Sequence, residues 1–461
     1  MRKRSISDFF EKEFKQQAQN DNYQNIASYI DGFRPTARKS LFTIITHNIK
    51  ELKKVDSLAN ATSDFTEYLG GAKNIEGVII NIARGYSTSN NISMMGTKGN
   101  FGQRLNNKPG EARYIKVKLL SQLNDYFNSL DSEVLIGQEF EGRNIEPKFL
   151  IPVLPFILIN GSLGIGTGHA QLILPRNPKD IKDILYKKLK NSTHQQDDLL
   201  PYWKGFRGIV KKVDKGKYET YGKYEIDKLN ILITELPIGY QLKSDKKSKE
   251  SDKSKKRFTT YIEKLKSLVE DKIIKSYKDL SDTKKDEFRF EVKVDSKFDM
   301  SEDNILNSLG LITKFTENYT CMTENNSIKV FEDSNEILQS FINIRLEYYQ
   351  KRKDHLIKKI LGDIAINEPK FLFVSGVVDG SIVIHKKKKT EIETQLKSID
   401  GITKVDNSFD YLLRMSISSL TYEKVQELRK KISSLKKELK DITNKDIKET
   451  WLEELDNIDI G

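Results

Sequence analysis

Val425, Leu428, Ile432, Leu435, Leu439 and Ile442 follow one another at alternating steps of three and four. That rhythm keeps an apolar seam on one side of a helix, and the residues between are mostly Lys, Glu and Ser. Upstream, Ile342, Leu346, Tyr349, Leu356 and Ile360 keep the same steps, with Lys353 breaking the seam. Seams of this length commit the last third of the chain to two coiled-coil arms. The stretch between them, about 365–415, is too long for a turn and holds apolar runs such as Phe371–Val374. It is predicted to form a small globular knob at the tip. A long antiparallel pair with a knob is a mechanical or dimer-forming device. A helical hairpin packed inside one domain fits the same pattern.

The remaining two thirds are mixed. The 461 residues leave room for roughly three domains of about 150 each. The formal net charge of +12 points to a polyanionic partner, with duplex DNA or RNA leading. A Lys-rich surface drawn from AAA-rich codons gives the same surplus. The single cysteine, Cys321, excludes a disulfide framework and a Cys-type zinc site, and fits a reducing cytoplasm. The most apolar stretch, Ile151–Ile159, is short and carries two prolines, so no transmembrane helix is expected. Met1-Arg2-Lys3-Arg4 runs into a polar, charged segment, which is not the build of a signal peptide.

Along the chain, residues 7–30 read as a polar helix with Phe9, Phe10, Phe14, Tyr23 and Ile26 as anchors. Asp31-Gly32-Phe33-Arg34-Pro35 then forms a turn. In Thr36–Leu52, Leu41, Phe42, Ile44, Ile45 and Ile49 stand at helical spacing. A helix that follows a turn and carries Arg38 and Lys39 near its start has the build of a DNA-facing helix-turn-helix, and also of an ordinary amphipathic helix. Residues 75–84 form a second core helix. Tyr114–Leu120 alternates apolar and lysine residues, as a short strand or a helix start does. Ile209-Val210 and Ile231–Thr234 read as strands. Residues 243–257 hold eight Lys/Arg, three Asp/Glu and four Ser, an insert expected to be disordered or a mobile hairpin tip.

Chemistry centres on Arg113-Tyr114, at the end of the Gly-rich, basic loop that opens with Gly99-Asn100-Phe101-Gly102. An aryl oxygen can take a phosphoryl group and return it, because phenolate is a better leaving group than an alkoxide. A phenol needs cationic neighbours to ionise at neutral pH. Further on, Asn160-Gly161-Ser162-Leu163-Gly164-Ile165-Gly166-Thr167-Gly168 is glycine-rich. His169 occupies the third position of a dinucleotide fingerprint, and no Gly-Lys-Ser/Thr follows to make a P-loop.

In this order and spacing, these features resemble the breakage-reunion subunit of type IIA DNA topoisomerases. The relatives are the gyrase A subunit, the C-terminal half of topoisomerase II and, most closely, the medium subunit of T-even-type bacteriophage enzymes. The resemblance is carried by Asp31-Gly32-Phe33-Arg34-Pro35-Thr36-Ala37-Arg38-Lys39, by Glu111-Ala112-Arg113-Tyr114 and by Glu146-Pro147-Lys148-Phe149 through Gly168. Lys204-Gly205-Phe206-Arg207-Gly208 and Thr234-Glu235-Leu236-Pro237 extend it. It implies an α+β multidomain fold: a winged-helix DNA-binding domain over 1–125, an α/β tower domain over 126–335, and a long antiparallel coiled coil with a small globular dimerisation knob over 336–461. Tyr114 is then the nucleophile, and Arg113 and Arg38 neutralise charge on the phosphate. Arg34, Lys39, Arg104 and Lys116 grip DNA, and Ile165 wedges between base pairs. Flexible pyrimidine–purine steps become favoured cleavage contexts.

The family usually has Tyr-His-His-Gly or His-Pro-His-Gly ahead of the second core helix, where this chain has Tyr68-Leu69-Gly70-Gly71. Lys73, His47 or water is expected to serve instead. No nucleotide loop or Asp-x-Asp cluster is visible, and Asp125, Asp131 and Asp197-Asp198 read as surface charges. No metal site is therefore expected on this chain. Mg²⁺ and ATP are expected on a separate large subunit carrying the ATPase and Toprim functions. The remaining expectations are a homodimer joined through the knob, double-stranded DNA as substrate, no membrane, and a cytoplasmic location, that of the host if the chain is viral. The chain stops after its second arm, so relaxation and decatenation are expected rather than negative supercoiling. Two alternatives stay open: a non-catalytic DNA-bending protein that kept the fold, and a coiled-coil scaffold. A tyrosine recombinase would need an Arg-His-Arg set around its tyrosine.

Overall fold

The computed structural model describes residues 6–190, 199–239, 260–405 and 407–460. The basic insert at 243–257 and the pair Asp197-Asp198 lie outside them. The chain divides into two compact units, Met1–Arg345 with Leu452–Gly461, and Leu346–Trp451. The boundary expected near 125 falls inside the first unit, and the last ten residues belong to that unit rather than to the coiled-coil segment.

The first unit begins with helix Ile6–Phe9, a π-helical turn Phe10–Phe14, and helix Lys15–Asn25. Phe9, Phe10 and Phe14, expected as anchors, are exposed, while Ile26 is buried. The next helix, Pro35–Thr46, opens with proline at a position that needs no N–H donor. Nine of its twelve residues are buried. Ser40 and Thr43 can be buried because each hydroxyl donates to a carbonyl four residues back, of Thr36 and Lys39. The helix stops short of the expected Leu52 because Asn48 takes a left-handed conformation (φ 47°) and ends it. Helices Val55–Phe65 and Ala72–Ala83 pack on it, the second burying Ile75, Ile79, Ile80 and Ala83.

A three-stranded antiparallel sheet follows, with Lys116–Lys118 between Lys53–Lys54 and Gly96–Lys98. Further on, four antiparallel strands run in the order Lys223–Asp227, Asn230–Glu235, Phe290–Lys293, Ser276–Asp279. Ile231, Ile233, Phe290 and Val292 form a core there with Tyr261 and Leu265 of helix Tyr261–Glu270. Hairpin Ser162–Ile165/Ala170–Ile173 is a separate two-stranded pair, with Ile165 opposite Ala170. Buried ion pairs brace this unit, two of them outside the turn at Asp31. Arg176 meets Glu317 at 2.7 Å, and Arg345 meets Asp131 at 3.0 Å. Asp131 is thus a buried partner rather than the surface charge expected of it.

Helix Ser334–Val378 begins in the first unit and enters the second at Leu346, where it continues through Phe371–Val374, a run expected in the knob, and carries Pro369 in its interior. Phe373 and Val374 enter a core with Ile382, Leu396, Ile402, Phe409 and Leu412, all within the 365–415 stretch expected to fold as a knob, and with Leu428. Helix Tyr422–Asn444 runs antiparallel to it: Lys353 donates to the carbonyls of Thr443 and Lys445, and Glu368 pairs with Lys436. Val425, Leu428, Ile432, Leu435, Leu439 and Ile442 are the buried or half-buried positions of that helix's seam.

Candidate functional site

Tyr114 lies on a tight turn, its N–H donating to the Glu111 carbonyl at 2.8 Å. The turn is pinned by its apolar members. Ala112 and Ile115 are buried, and their carbonyls accept from the N–H groups of Asp56 and Val55 at the start of helix Val55–Phe65. Pinning Ala112 and Ile115 inward forces Arg113 and Tyr114 outward. Tyr114 is 74% exposed, and the Arg113 guanidinium lies 5.8 Å from its ring centroid. A phenol held this way can reach a large external substrate.

Two residues later the chain enters the three-stranded sheet at Lys116. Its direct cross-strand partners are Lys54 on one side and Lys98 on the other. Like charges placed opposite one another repel, and a bound polyanion relieves that repulsion. Lys54 and Lys98 escape sequence reasoning, because only the strand register puts them beside Lys116.

The other site residues divide. Ile165 is 75% exposed at the end of its strand, two residues from the exposed Leu163. Arg34 is half-buried, and its Nη2 donates to the Leu163 carbonyl, so it holds the strand that carries Ile165. Arg38 is buried against Asp31, with Nε at 2.6 Å and Nη2 at 3.2 Å, while Nη1 has no hydrogen-bond partner. Nη1 is buried like the rest of the side chain, so a phosphate reaches it only if this turn opens.

Two expectations are corrected. Lys39 does not grip DNA: its ammonium is buried, donating to Glu146 at 2.7 Å and to the Thr66 carbonyl at 2.9 Å. Burial pushes the Glu146 carboxyl up, and Lys39 only partly offsets this. Arg104 is also inside. It meets Glu235 at 2.6 Å, donates to the Leu236 carbonyl, and stacks 4.8 Å from the Phe288 ring. The basic loop reads as a single surface in sequence, but the flanking Leu105 belongs to the core and draws Arg104 in with it. Arg104→Ala should cost about 2–3 kcal/mol in thermal unfolding, since Glu235 keeps Arg207 as a second partner. Its salt dependence of duplex binding should match the parent. A shallower salt slope would return Arg104 to the DNA surface.

Where the family carries histidines, Leu69 is 86% exposed, and Tyr68 Oη accepts from Asn74 Nδ2 at 2.5 Å. Tyr68, Leu69 and Gly70 line a cavity of about 580 Å³ together with Lys39 and Glu146. Of the side chains expected to stand in, His47 packs on the Phe65 ring at 4.5 Å. Lys73 pairs with Glu76 at 2.6 Å, is largely exposed, and lies within electrostatic reach of Glu111 and Arg113. Among the described residues, no three His, Cys, Asp or Glu side chains gather as a metal site, and no helix is long and apolar enough to cross a membrane.

The chain is similar to known proteins along nearly its whole length. A profile of the A subunit of DNA gyrase/topoisomerase IV matches residues 24–456. The chain is 29% identical over 463 residues to the mitochondrial DNA topoisomerase 2 of Dictyostelium discoideum, covering 98% of this chain and 35% of that protein. It is 30% identical over 498 residues to DNA topoisomerase 2 of Plasmodium falciparum, covering 99% and 34%. Against the DNA topoisomerase 2 of Acanthamoeba polyphaga mimivirus the identity is 29% over 521 residues, covering 98% and 40%. The chain thus spans between a third and two fifths of these relatives. The crystal structure of the Plasmodium falciparum topoisomerase II DNA-binding, cleavage and re-ligation domain superposes with a TM-score of 0.80 at 30% identity, over 97% of this chain and 63% of that one. With a mixed α/β architecture that follows a type II topoisomerase cleavage domain along nearly its whole length, the chain belongs to the family of DNA gyrase and topoisomerase IV A subunits.

Proposed function

We propose that this chain is the DNA-cleaving and religating part of a type IIA topoisomerase, with Tyr114 as nucleophile. The observation that carries the reading is the outward-facing Tyr114 between Arg113 and the Lys54–Lys116–Lys98 row. Tyr114 Oη attacks a backbone phosphorus as its proton leaves. The bond from phosphorus to the 3′ oxygen breaks, and that oxygen departs as a 3′ hydroxyl. The 5′ end stays on the protein as a phosphotyrosyl ester. Exchanging one ester for another keeps the bond energy, so resealing is the reverse step and consumes no ATP. Arg113 neutralises charge gathering on the non-bridging oxygens, and Arg38 contributes through Nη1. Lys73 is the cation best placed to act where the family uses histidine.

The lysine row holds flanking phosphates in a salt-sensitive, sequence-independent way. Ile165 inserts at a base step, and the unstacking cost of a few kcal/mol is offset by wider contact with bent DNA. On this reading the region around Tyr114 is a winged-helix domain, the sheets after residue 200 form the tower, and the antiparallel helices of the second unit form a coiled coil whose knob joins two copies. Two Tyr114 residues then cut both strands of double-stranded DNA for strand passage, giving relaxation or decatenation. Type II enzymes use Mg²⁺ and ATP. On this reading both are bound by a separate large subunit, and the complex works in the cytoplasm.

The test is to incubate the chain with plasmid, Mg²⁺ and a candidate large subunit, then add detergent. Linear DNA carrying covalently bound protein is expected. Salt-dependent bending with no adduct under any condition would leave a passive binder.

A further inference from the structure

The turn that presents Ile165 is gripped from outside its own hairpin. Thr167 Oγ1 donates to Asp21 Oδ2 at 2.8 Å, and Asn22 Nδ2 donates to the Thr167 carbonyl at 3.1 Å. Asn25 Nδ2 donates to the other Asp21 oxygen at 2.8 Å and fixes that carboxylate. All three residues sit in the last two turns of helix Lys15–Asn25.

The approach is too close for side chains in between. A Cβ at Gly166 would stand 2.1 Å from Asn22 Oδ1, and one at Gly164 would stand 2.3 Å from the Asn25 carbonyl oxygen. This gives the glycines flanking Ile165 a reason that needs no ligand: they let the helix end lie against the turn. At the hairpin base, buried Gln171 completes the grip, bonding the Ala27 N–H at 3.1 Å and its carbonyl at 3.2 Å. Ser162 Oγ donates to the same Gln171 oxygen at 2.7 Å.

We propose that Asp21 and Asn22 are positioning residues for DNA bending. By clamping the turn at Thr167, they hold Ile165 rigid and outward before DNA arrives. The proposal rests on the wedge role of Ile165. An exposed isoleucine on a free two-stranded hairpin would swing away from a closed base step, and opening that step would then also carry the cost of ordering the turn. The clamp removes that ordering cost in advance. Asp21 and Asn22 touch no DNA in this scheme and act through Thr167.

The experiment uses the full chain and an end-labelled duplex with a central pyrimidine–purine step. Bending is read by energy transfer, and affinity by anisotropy across a salt series. Ile165→Ala sets the unbent reference. Asp21→Ala and Thr167→Val should each lower the bent-to-straight ratio about ten-fold or more, the size of one lost charge-assisted hydrogen bond. The salt slope of binding should not move, because no phosphate contact is lost. Thr167→Ser, which keeps the hydroxyl, should restore bending. Amide exchange of segment 163–169 in the free protein should speed up in Asp21→Ala and Thr167→Val but not in Thr167→Ser. This separates a loosened turn from general unfolding. Unchanged bending in Asp21→Ala and Thr167→Val beside an unbent Ile165→Ala complex would overturn the clamp and leave the wedge. Full bending by Ile165→Ala would overturn the wedge, and the clamp with it.

Discussion

Tyr114→Phe should abolish covalent adduct formation while leaving duplex affinity within about two-fold of the parent. The substitution removes one oxygen and nothing else. The ring is 74% exposed, so no buried partner is orphaned and the fold has nothing to lose. What disappears is the atom that would be esterified. Deleting the nucleophile of a covalent mechanism costs on the order of 10⁴- to 10⁶-fold in turnover, and there is no second exposed tyrosine on the same turn to take over. Detergent-trapped cleavage should therefore fall below detection with Mg²⁺ and the large subunit present. Binding should persist because the Lys54–Lys116–Lys98 row is untouched. A Tyr114→Phe protein that still became covalently linked to DNA would remove this residue from the chemistry. Peptide mapping of the adduct would then name the true nucleophile.

Tyr114 is legible in the sequence because its signals are local: a glycine-rich loop, an arginine beside a tyrosine, and small or apolar residues that turn the pair outward. Ile165 stands out only through the family resemblance, because its glycine-rich loop by itself suits a buried turn as well. The helical seam at Val425–Ile442 follows from periodicity, which a helix enforces without tertiary help. The failures share a different cause. Lys39 and Arg104 are cations in segments that look exposed, and each is drawn inward by a carboxylate about a hundred or more positions away, Glu146 and Glu235. Asp131 is drawn in by Arg345 in the same way. Charge pairing across such separations leaves no periodic trace. The lysine row is half-visible: the Lys-Val-Lys alternation gives Lys116, but Lys54 and Lys98 need the register. Phe371–Val374 is legible in part: the run joins the core of the 365–415 stretch, but as the end of a long helix, which four apolar residues in a row do not reveal. Pro369, which argues against a helix, removes a backbone bond and crowds the carbonyl four residues back, yet it is carried inside one.

Asp31→Asn should destabilise the first unit by about 3–5 kcal/mol, the cost of leaving a buried charge unpaired. The carboxylate is fully buried and receives four donors: Arg38 Nε and Nη2, and the backbone N–H groups of Phe33 and Leu150. Every partner is a donor, so only an acceptor-rich group fits. An asparagine offers one oxygen and one NH₂, and its NH₂ must face a donor in either orientation. Burial works against the Arg38 charge, and Asp31 more than offsets this, holding the guanidinium above its ordinary value. With Asp31 neutral, that burial is uncompensated. On the proposed reading the effect reaches the chemistry as well, because this turn aims Arg34 at the Leu163 carbonyl and holds Arg38 with its buried Nη1 unpartnered. Adding Arg38→Met separates the two consequences. Replacing the buried charge by an apolar chain of similar length should recover most of the lost stability, as buried pairs exchanged for hydrophobes commonly do. It should not recover the adduct, because the guanidinium is gone. Thermal unfolding of the parent and both variants, followed beside trapped cleavage, gives both readings. A loss under about 1 kcal/mol in Asp31→Asn would mean that water reaches this pair and the turn is not fixed by it. Full cleavage by the double variant would take Arg38 out of the reaction and leave it a role in folding alone.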